Sequence, residues 1–258
     1  MNTGQVPPDF ALGGKVAIVT GGGGGLGSAY AQTLAMAGAS VVVADINGEN
    51  AKSVADGLVD DGHSAISVVV DITDEESARS MARRTCEEFG GIDILVNDAA
   101  LMAEIPRVPL IETSVEWWDR VMKVNVCGAF ICCQACVPSM IQRGGGKIVN
   151  QSSGGAWVSS TVYAVSKLAL VGLTMGLARQ LGVHQINVNA IAPGTVETDA
   201  TRRALGDAGF RERAERVPLG RNGQPPELAG ALLYLCSAAS DWMTGQCLNI
   251  DGGWIMRT

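Results

Sequence analysis

Tyr163 and Lys167 stand four residues apart in the run Tyr163-Ala164-Val165-Ser166-Lys167, and Ser153 lies ten residues before the tyrosine. On a helix, positions i and i+4 share a face, so the lysine ammonium can lie beneath the phenol. A nearby cation favours the phenolate, and the ordinary tyrosine pKa of about 10 is otherwise too high for a base at neutral pH. The group therefore reads as a proton-transfer device. A Y-x-x-x-K spacing alone also fits a partly buried tyrosine beside a solvated lysine, so the rest of the chain must decide.

A second pattern points to a nucleotide. The apolar run 16–20 enters five consecutive glycines, including Gly21, Gly24 and Gly25, and continues through Leu26 and Gly27 into a helical stretch. Strand, glycine turn and helix start are what a dinucleotide turn needs. Backbone N–H groups must approach a pyrophosphate where a Cβ would obstruct, and the helix N-terminus adds partial positive charge. Each glycine loses roughly 0.5–1 kcal/mol more than alanine on folding, which a merely structural turn does not require. Twenty residues after Gly25, Asp45 ends the next apolar run. A carboxylate there accepts the ribose hydroxyls of NAD and repels the 2′-phosphate of NADP. No Arg or Lys sits in the glycine loop, so NAD is the expected cofactor.

The elements that must position these residues are legible as an alternation. Strand-like runs occur at 16–20, 41–44, 66–70, 94–96, 147–150, 186–190 and 247–250, with helical patterns between them. Most are continuously apolar, as strands buried on both faces of a parallel sheet are. The expected fold is α/β: one doubly wound, Rossmann-type parallel sheet of about seven strands with helices on both faces, all 258 residues forming a single domain. Thr73/Glu76 and Thr113/Glu116 have capping-box spacing, and Pro225-Pro226-Glu227 suits a helix start. The least patterned stretch, about 197–222, follows a strand's C-terminal end, where such folds bind ligands. It is expected to cover the substrate, as a lid or as a surface helix pair.

Bulk properties narrow the function classes. A net charge of −7 does not fit a nucleic-acid footprint. The longest apolar stretch, 168–178, is short for a membrane span, and no secretory signal pattern opens the sequence, so a cytoplasmic protein is expected. Seven cysteines do not form a disulfide pattern. Cys127, Cys132, Cys133 and Cys136 cluster, and Cys133-x-x-Cys136 has ligand spacing. They read better as small apolar residues on a buried helix. His63 and His184 lie in no ligand cluster, and no metal site is expected.

With these pieces placed, residues of about 14–255 resemble the short-chain dehydrogenase/reductase family, in its single-domain NAD-dependent branch. Thr20-Gly21-x-x-x-Gly25-x-Gly27 matches the family's cofactor loop. Asp71, with Ile72 beside it, matches the adenine-binding acid, and Asn97-Asp98-Ala99-Ala100 stands in the place of N-N-A-G. Asn125, Ser153, Tyr163 and Lys167 match the catalytic tetrad, and Pro193-Gly194-Thr195-Val196-Glu197-Thr198 matches the segment that contacts nicotinamide. Gly245-x-x-Leu248-x-x-Asp251-Gly252-Gly253 resembles the last strand and its exit.

The resemblance implies reversible hydride transfer between NAD(H) and a secondary alcohol or ketone. Tyr163 would be the base, Lys167 would lower its pKa and hold the cofactor ribose, Ser153 would bind the substrate oxygen, and Asn125 would hold a relay water. It also implies a small-molecule substrate and a homotetramer. A 3-oxoacyl thioester reductase and a catalytically silent NAD(H)-binding sensor or scaffold are the alternatives. Asp98 and Ala100 depart from N-N-A-G, with little effect on chemistry expected. The Ser–Tyr spacing is three residues short of the family norm, which leaves Ser152 as a competitor of Ser153. Met102, Gly155, Trp157, Val158 and the residues of the 197–222 segment are candidate pocket residues.

Overall fold

All seven apolar runs form strands of one parallel sheet in the computed structural model, which describes residues 7–256. The strands are β1 Val16–Thr20, β2 Ser40–Asp45, β3 Ala65–Val69, β4 Ile94–Asn97, β5 Gly146–Gln151, β6 Ile186–Pro193 and β7 Cys247–Ile250, in spatial order β3-β2-β1-β4-β5-β6-β7. The helices are α1 Gly25–Met36, α2 Gly48–Asp60, α3 Glu75–Phe89, α4 Val115–Met122, α5 Gly128–Gln142, α6 Gly155–Val158, α7 Val162–Leu181, α8 Asp199–Glu215 and α9 Pro225–Cys236.

Alternate strand residues supply two cores, because successive side chains point to opposite faces. Ala17, Val19, Val41, Val43, Ile94 and Val96 meet α1, α2 and α9 on one face. Ile18, Val42, Leu95, Ile148 and Val188 meet α3, α5 and α7 on the other. Double coverage explains why the strands read as continuous apolar runs. The strand order reverses between β1 and β4, so the loops leaving those strands diverge and open a crevice at the C-terminal edge of the sheet.

Several local expectations shift. The helix caps are Asp74 and Ser114, not Thr73 and Thr113: each accepts a backbone N–H three residues on, from Ser77 and Trp117. Thr73 is instead held by Asp71, whose carboxylate accepts both its N–H and its hydroxyl. Helix α9 does begin at Pro225, with Gln224 and Glu227 forming its capping box. Segment 197–222 is largely the helical α8, broken at Gly206 (φ +64).

Two stretches, Val115–Gln142 and Val162–His184, are apolar and long enough to cross a membrane, with mean hydropathy 1.7 and 1.3. Scanning for unbroken apolar runs misses them because glycine, cysteine, serine and threonine interrupt the sequence without making it polar. In the fold they lie against the sheet and against α3. Cys132, Cys133 and Cys136 are buried there, with burial pushing each thiol up, while Cys127 is exposed.

Candidate active site

The turn after β1 closes on itself. A Cβ on Gly27 would lie 2.2 Å from the Gly21 carbonyl oxygen, so only glycine lets α1 start this close to the strand it follows. At Gly24 and Gly25 a Cβ would meet nothing within 4 Å, which marks the open side of the turn. Helices α2, α3, α4, α7 and α8 each have a side-chain N-cap, whereas α1 begins at Gly24 without one. Apart from the Gly27 N–H, which the Asp98 carboxylate meets, its first amide donors therefore lack a side-chain acceptor, as a pyrophosphate cradle requires. Asp45 clamps the turn: Oδ2 accepts the Gly23 N–H at 3.0 Å and Oδ1 accepts the Asn47 N–H at 2.9 Å. Each carboxylate oxygen keeps a further lone pair for a hydroxyl donor. These residues fit a nicotinamide dinucleotide.

The other expected cofactor residues divide. Asp71 is exposed at the edge of the crevice, and Leu26 and Gly194 are partly open. Ile72 is buried, and a Cβ on Gly128 would touch its side chain, so that side chain serves the core. Asn97 is also internal: its Nδ2 donates to Asn150 Oδ1 at 2.9 Å, tying β4 to β5. Ala99 lies over Gly21, and its N–H reaches the Thr20 hydroxyl at 3.4 Å. The Pro193 carbonyl accepts the Gly154 N–H, and Val196 is buried. Thr198 is the N-cap of α8.

Asn125, Ser153, Tyr163 and Lys167 converge from three elements. Ser153 follows β5, and the single turn of α6 spans the shortened connection before Thr161 caps α7. The geometry separates the two serines. The Ser152 hydroxyl is buried and donates to the Lys167 carbonyl at 2.7 Å, whereas the Ser153 hydroxyl accepts the Gly155 N–H at 3.1 Å and lies near enough to Tyr163 to lower it. Lys167 Nζ lies 5.6 Å from the Tyr163 ring centroid and donates to the Gln151 carbonyl at 2.7 Å. Asn125 sits in a π-turn, Lys123–Cys127, a local widening of the helix often found at functional sites. Its side chain bonds both backbone groups of Leu101 and the Ser166 hydroxyl.

Asp98, which stands where the family motif has asparagine, is electrostatically coupled to this cluster. It leaves β4 at the reversal point, and its Oδ2 stands 3.0 Å from where a Gly27 Cβ would be. Burial pushes its carboxyl up to about 7, against the pull of Lys167 and the Gly27 N–H, with Asp45 pushing further upward. Burial takes Lys167 down to about 8, with Asp98 opposing. Tyr163 is raised above its ordinary value by burial and by Asp98, and only Ser153 lowers it. The i, i+4 argument placed the lysine correctly but missed the carboxylate that offsets its charge.

On the far wall, the sequence pointed to the 197–222 segment as a whole but not to Trp254. The Trp254 ring lies 3.2 Å from where a Gly154 Cβ would be, next to Ser153, and the Arg213 guanidinium lies 5.2 Å from the centre of that ring. No sequence pattern marks Arg213, since α8 buries no side chain that would impose a helical period.

Comparison with known proteins agrees with this geometry. A family model described as enoyl-(acyl carrier protein) reductase matches residues 22–255. An uncharacterised oxidoreductase of Mycobacterium tuberculosis is 47% identical over 95% of this chain and 98% of its own length. The 3-oxoacyl-[acyl-carrier-protein] reductase of Aquifex aeolicus is 36% identical over 95% and 99%. The crystal structure of a gluconate 5-dehydrogenase from Burkholderia cenocepacia, in complex with NADP and tartrate, superposes with a TM-score of 0.89 at 38% identity, covering 95% of this chain and 97% of that one. With the doubly wound sheet, the glycine turn and the Ser–Tyr–Lys cluster in place, the chain belongs to the short-chain dehydrogenase/reductase family of oxidoreductases.

Proposed function

We propose that the protein is an NAD-dependent dehydrogenase of secondary alcohols, working reversibly as a ketone reductase. The observation that carries the reading is the partly buried Tyr163, whose hydroxyl is influenced by Ser153 and whose ring lies 5.6 Å from the Lys167 ammonium. The nicotinamide, when bound, supplies the hydride acceptor or donor. Tyr163 transfers the hydroxyl proton, and Ser153 stabilises the substrate oxygen as its charge changes. Lys167 has three donors, of which one is held by Gln151, leaving two for ribose hydroxyls. The Asn125 side chain is engaged by Leu101 and Ser166, so a relay water would bind its backbone carbonyl rather than its amide. With Tyr163 raised, the protonated phenol is the resting form, which suits protonation of a ketone oxygen.

Asp45 supports NAD over NADP: its Oδ2 faces the glycine turn while Oδ1 accepts the Asn47 N–H, and the next residues, Ile46 and Asn47, bring no cation for a 2′-phosphate. The related gluconate 5-dehydrogenase was crystallised with NADP, so this preference rests on Asp45 itself. Likeness to a 3-oxoacyl reductase keeps a thioester-reducing reading in view; reduction of an acetoacetyl thioester with NADPH at a higher kcat/KM than any alcohol shows with NAD would favour it. Assembly of all four tetrad positions speaks against a silent sensor. Exposed Phe130, Leu168 and Met175 on α5 and α7 fit the expected tetramer, which light scattering tests.

Tyr163→Phe tests the chemistry. It should lower turnover at least about 1,000-fold, the upper part of the range for a positioned acid–base group, while NADH fluorescence titration gives an unchanged Kd. Turnover within about tenfold of the parent would sink the assignment.

A further inference from the structure

Of the arginines in and just beyond α8, Arg203 and Arg211 are exposed with no ion pair among the described residues, and three others are paired. Arg202 meets Glu197 and Asp207, Arg216 meets Glu212, and Arg221 meets Glu227. Arg213 differs. It is half-buried, no carboxylate bonds it among the described residues, and its guanidinium lies over the Trp254 ring at 5.2 Å. The neighbouring carboxylate, Glu212, is already engaged by Arg216.

Trp254 anchors this cation to the reaction centre. The segment following α8 is fastened to the C-terminal turn by the Leu219 N–H to Gly252 carbonyl bond at 3.3 Å. Trp254 is held by its own N–H to Asp251, and its ring covers Gly154, the residue after Ser153. The guanidinium is therefore one indole away from the serine that faces Tyr163. Burial, helped by the positive charge of Arg216 and Arg107, pushes Arg213 down. A half-buried guanidinium stacked on an aromatic ring, with no carboxylate bonded to it among the described residues, favours an anion at its open edge.

We propose that Arg213 binds a carboxylate of the substrate, several carbons from the alcohol carbon served by Tyr163. This rests on the dehydrogenase reading and narrows its substrates to hydroxy acids, including sugar acids. Stacking on Trp254 fixes the guanidinium plane for a two-point grip on carboxylate oxygens. Arg213 is here a specificity residue and takes no part in the proton or hydride steps.

Two matched pairs of alcohols test it with NAD: D-gluconate against D-glucitol, and 4-hydroxypentanoate against 2-pentanol. The acids should exceed their neutral partners in kcat/KM by roughly 10- to 100-fold, the range for a charge-assisted hydrogen bond. Arg213→Gln should erase that advantage through KM for the acids, leaving kcat and the neutral KM values in place. Arg213→Lys, which keeps charge without the planar fork, should fall between. Equal use of acid and neutral substrates by the parent, or an unchanged acid KM in Arg213→Gln, would overturn the proposal. A second readout needs no turnover. Glutarate, titrated calorimetrically into the enzyme–NADH complex, should bind the parent and bind Arg213→Gln at least about tenfold more weakly; equal binding, or none to the parent, counts against the site. If none of the four alcohols yields NADH, the dehydrogenase reading loses its support, and the glutarate titration still decides the anion site.

Discussion

The turn after β1 and the segment after β6 leave the same edge of the sheet, but they are built on opposite principles. In the turn, backbone crowds backbone: the Gly27 position has the Gly21 carbonyl 2.2 Å from any Cβ. In the segment, a Cβ on Gly206 would meet nothing within 4 Å, and α8 buries no side chain. On the proposed reading, the first region binds a constant part, the dinucleotide, through main-chain amides, and the second meets a variable part through side chains carried on a loosely packed helix. Rigidity belongs where the ligand is invariant, and a tolerant scaffold where it is not.

The sharpest test of that contrast is Gly27→Ala against Gly206→Ala. A methyl at position 27 strikes main-chain atoms that cannot rotate away. Overpacking of this kind costs about 1–3 kcal/mol of stability, and the displaced turn should weaken NADH binding at least about 100-fold, an estimate scaled from 1.4 kcal/mol per decade. Gly206→Ala strains only a positive φ and should leave the NADH Kd within about twofold while lowering Tm modestly. Equal NADH affinity in the two variants would dissolve the comparison.

A smaller effect is expected at Asp45, which joins both kinds of contact. Its carboxylate clamps the turn through Gly23 and faces the ribose site. Asp45→Ala should reduce the ratio of kcat/KM for NAD over NADP by about 10- to 100-fold, the size of one charge-assisted hydrogen bond lost and one repulsion relieved. Equal use of both cofactors by the parent protein would contradict the charge argument at its root.

The same contrast explains what the sequence made legible. Buried parallel strands require continuous apolar runs, so all seven strands were visible. Close main-chain approach requires glycine, so the cofactor turn was visible as well. Tyr163 and Lys167 were visible because one helix turn holds both. Asp98, Arg213 and Trp254 meet their partners only through tertiary folding. Asp98 comes from the end of β4 and meets α1 and α7; Arg213 meets Trp254 from 41 residues away in sequence. No local period carries such information, although the acid in place of the motif's asparagine did mark the spot. The caps moved by one residue for a related reason. Asp74 and Ser114 compete with Thr73 and Thr113 for the same role, and only the chain path selects between them.

The smallest effect should come from Asp98→Asn, which separates charge from shape. The carboxyl is raised in the folded protein from 3.8 to about 7, so the folded state holds its proton more tightly than the unfolded chain does. Its contribution is fully present below pH 3.8 and lost as pH rises through 7, because over that window the unfolded state releases the proton first. Asparagine has no such term, so the variant's Tm, relative to the parent's, should rise between pH 5 and pH 8. The same substitution removes an influence that raises both Tyr163 and Lys167. Both limbs of the pH profile for alcohol oxidation should therefore move to lower pH together, with the shape kept. A Tm difference flat in pH and an unmoved profile would return Asp98 to sheet support, and would leave the first region without any charged partner in the chemistry of the second.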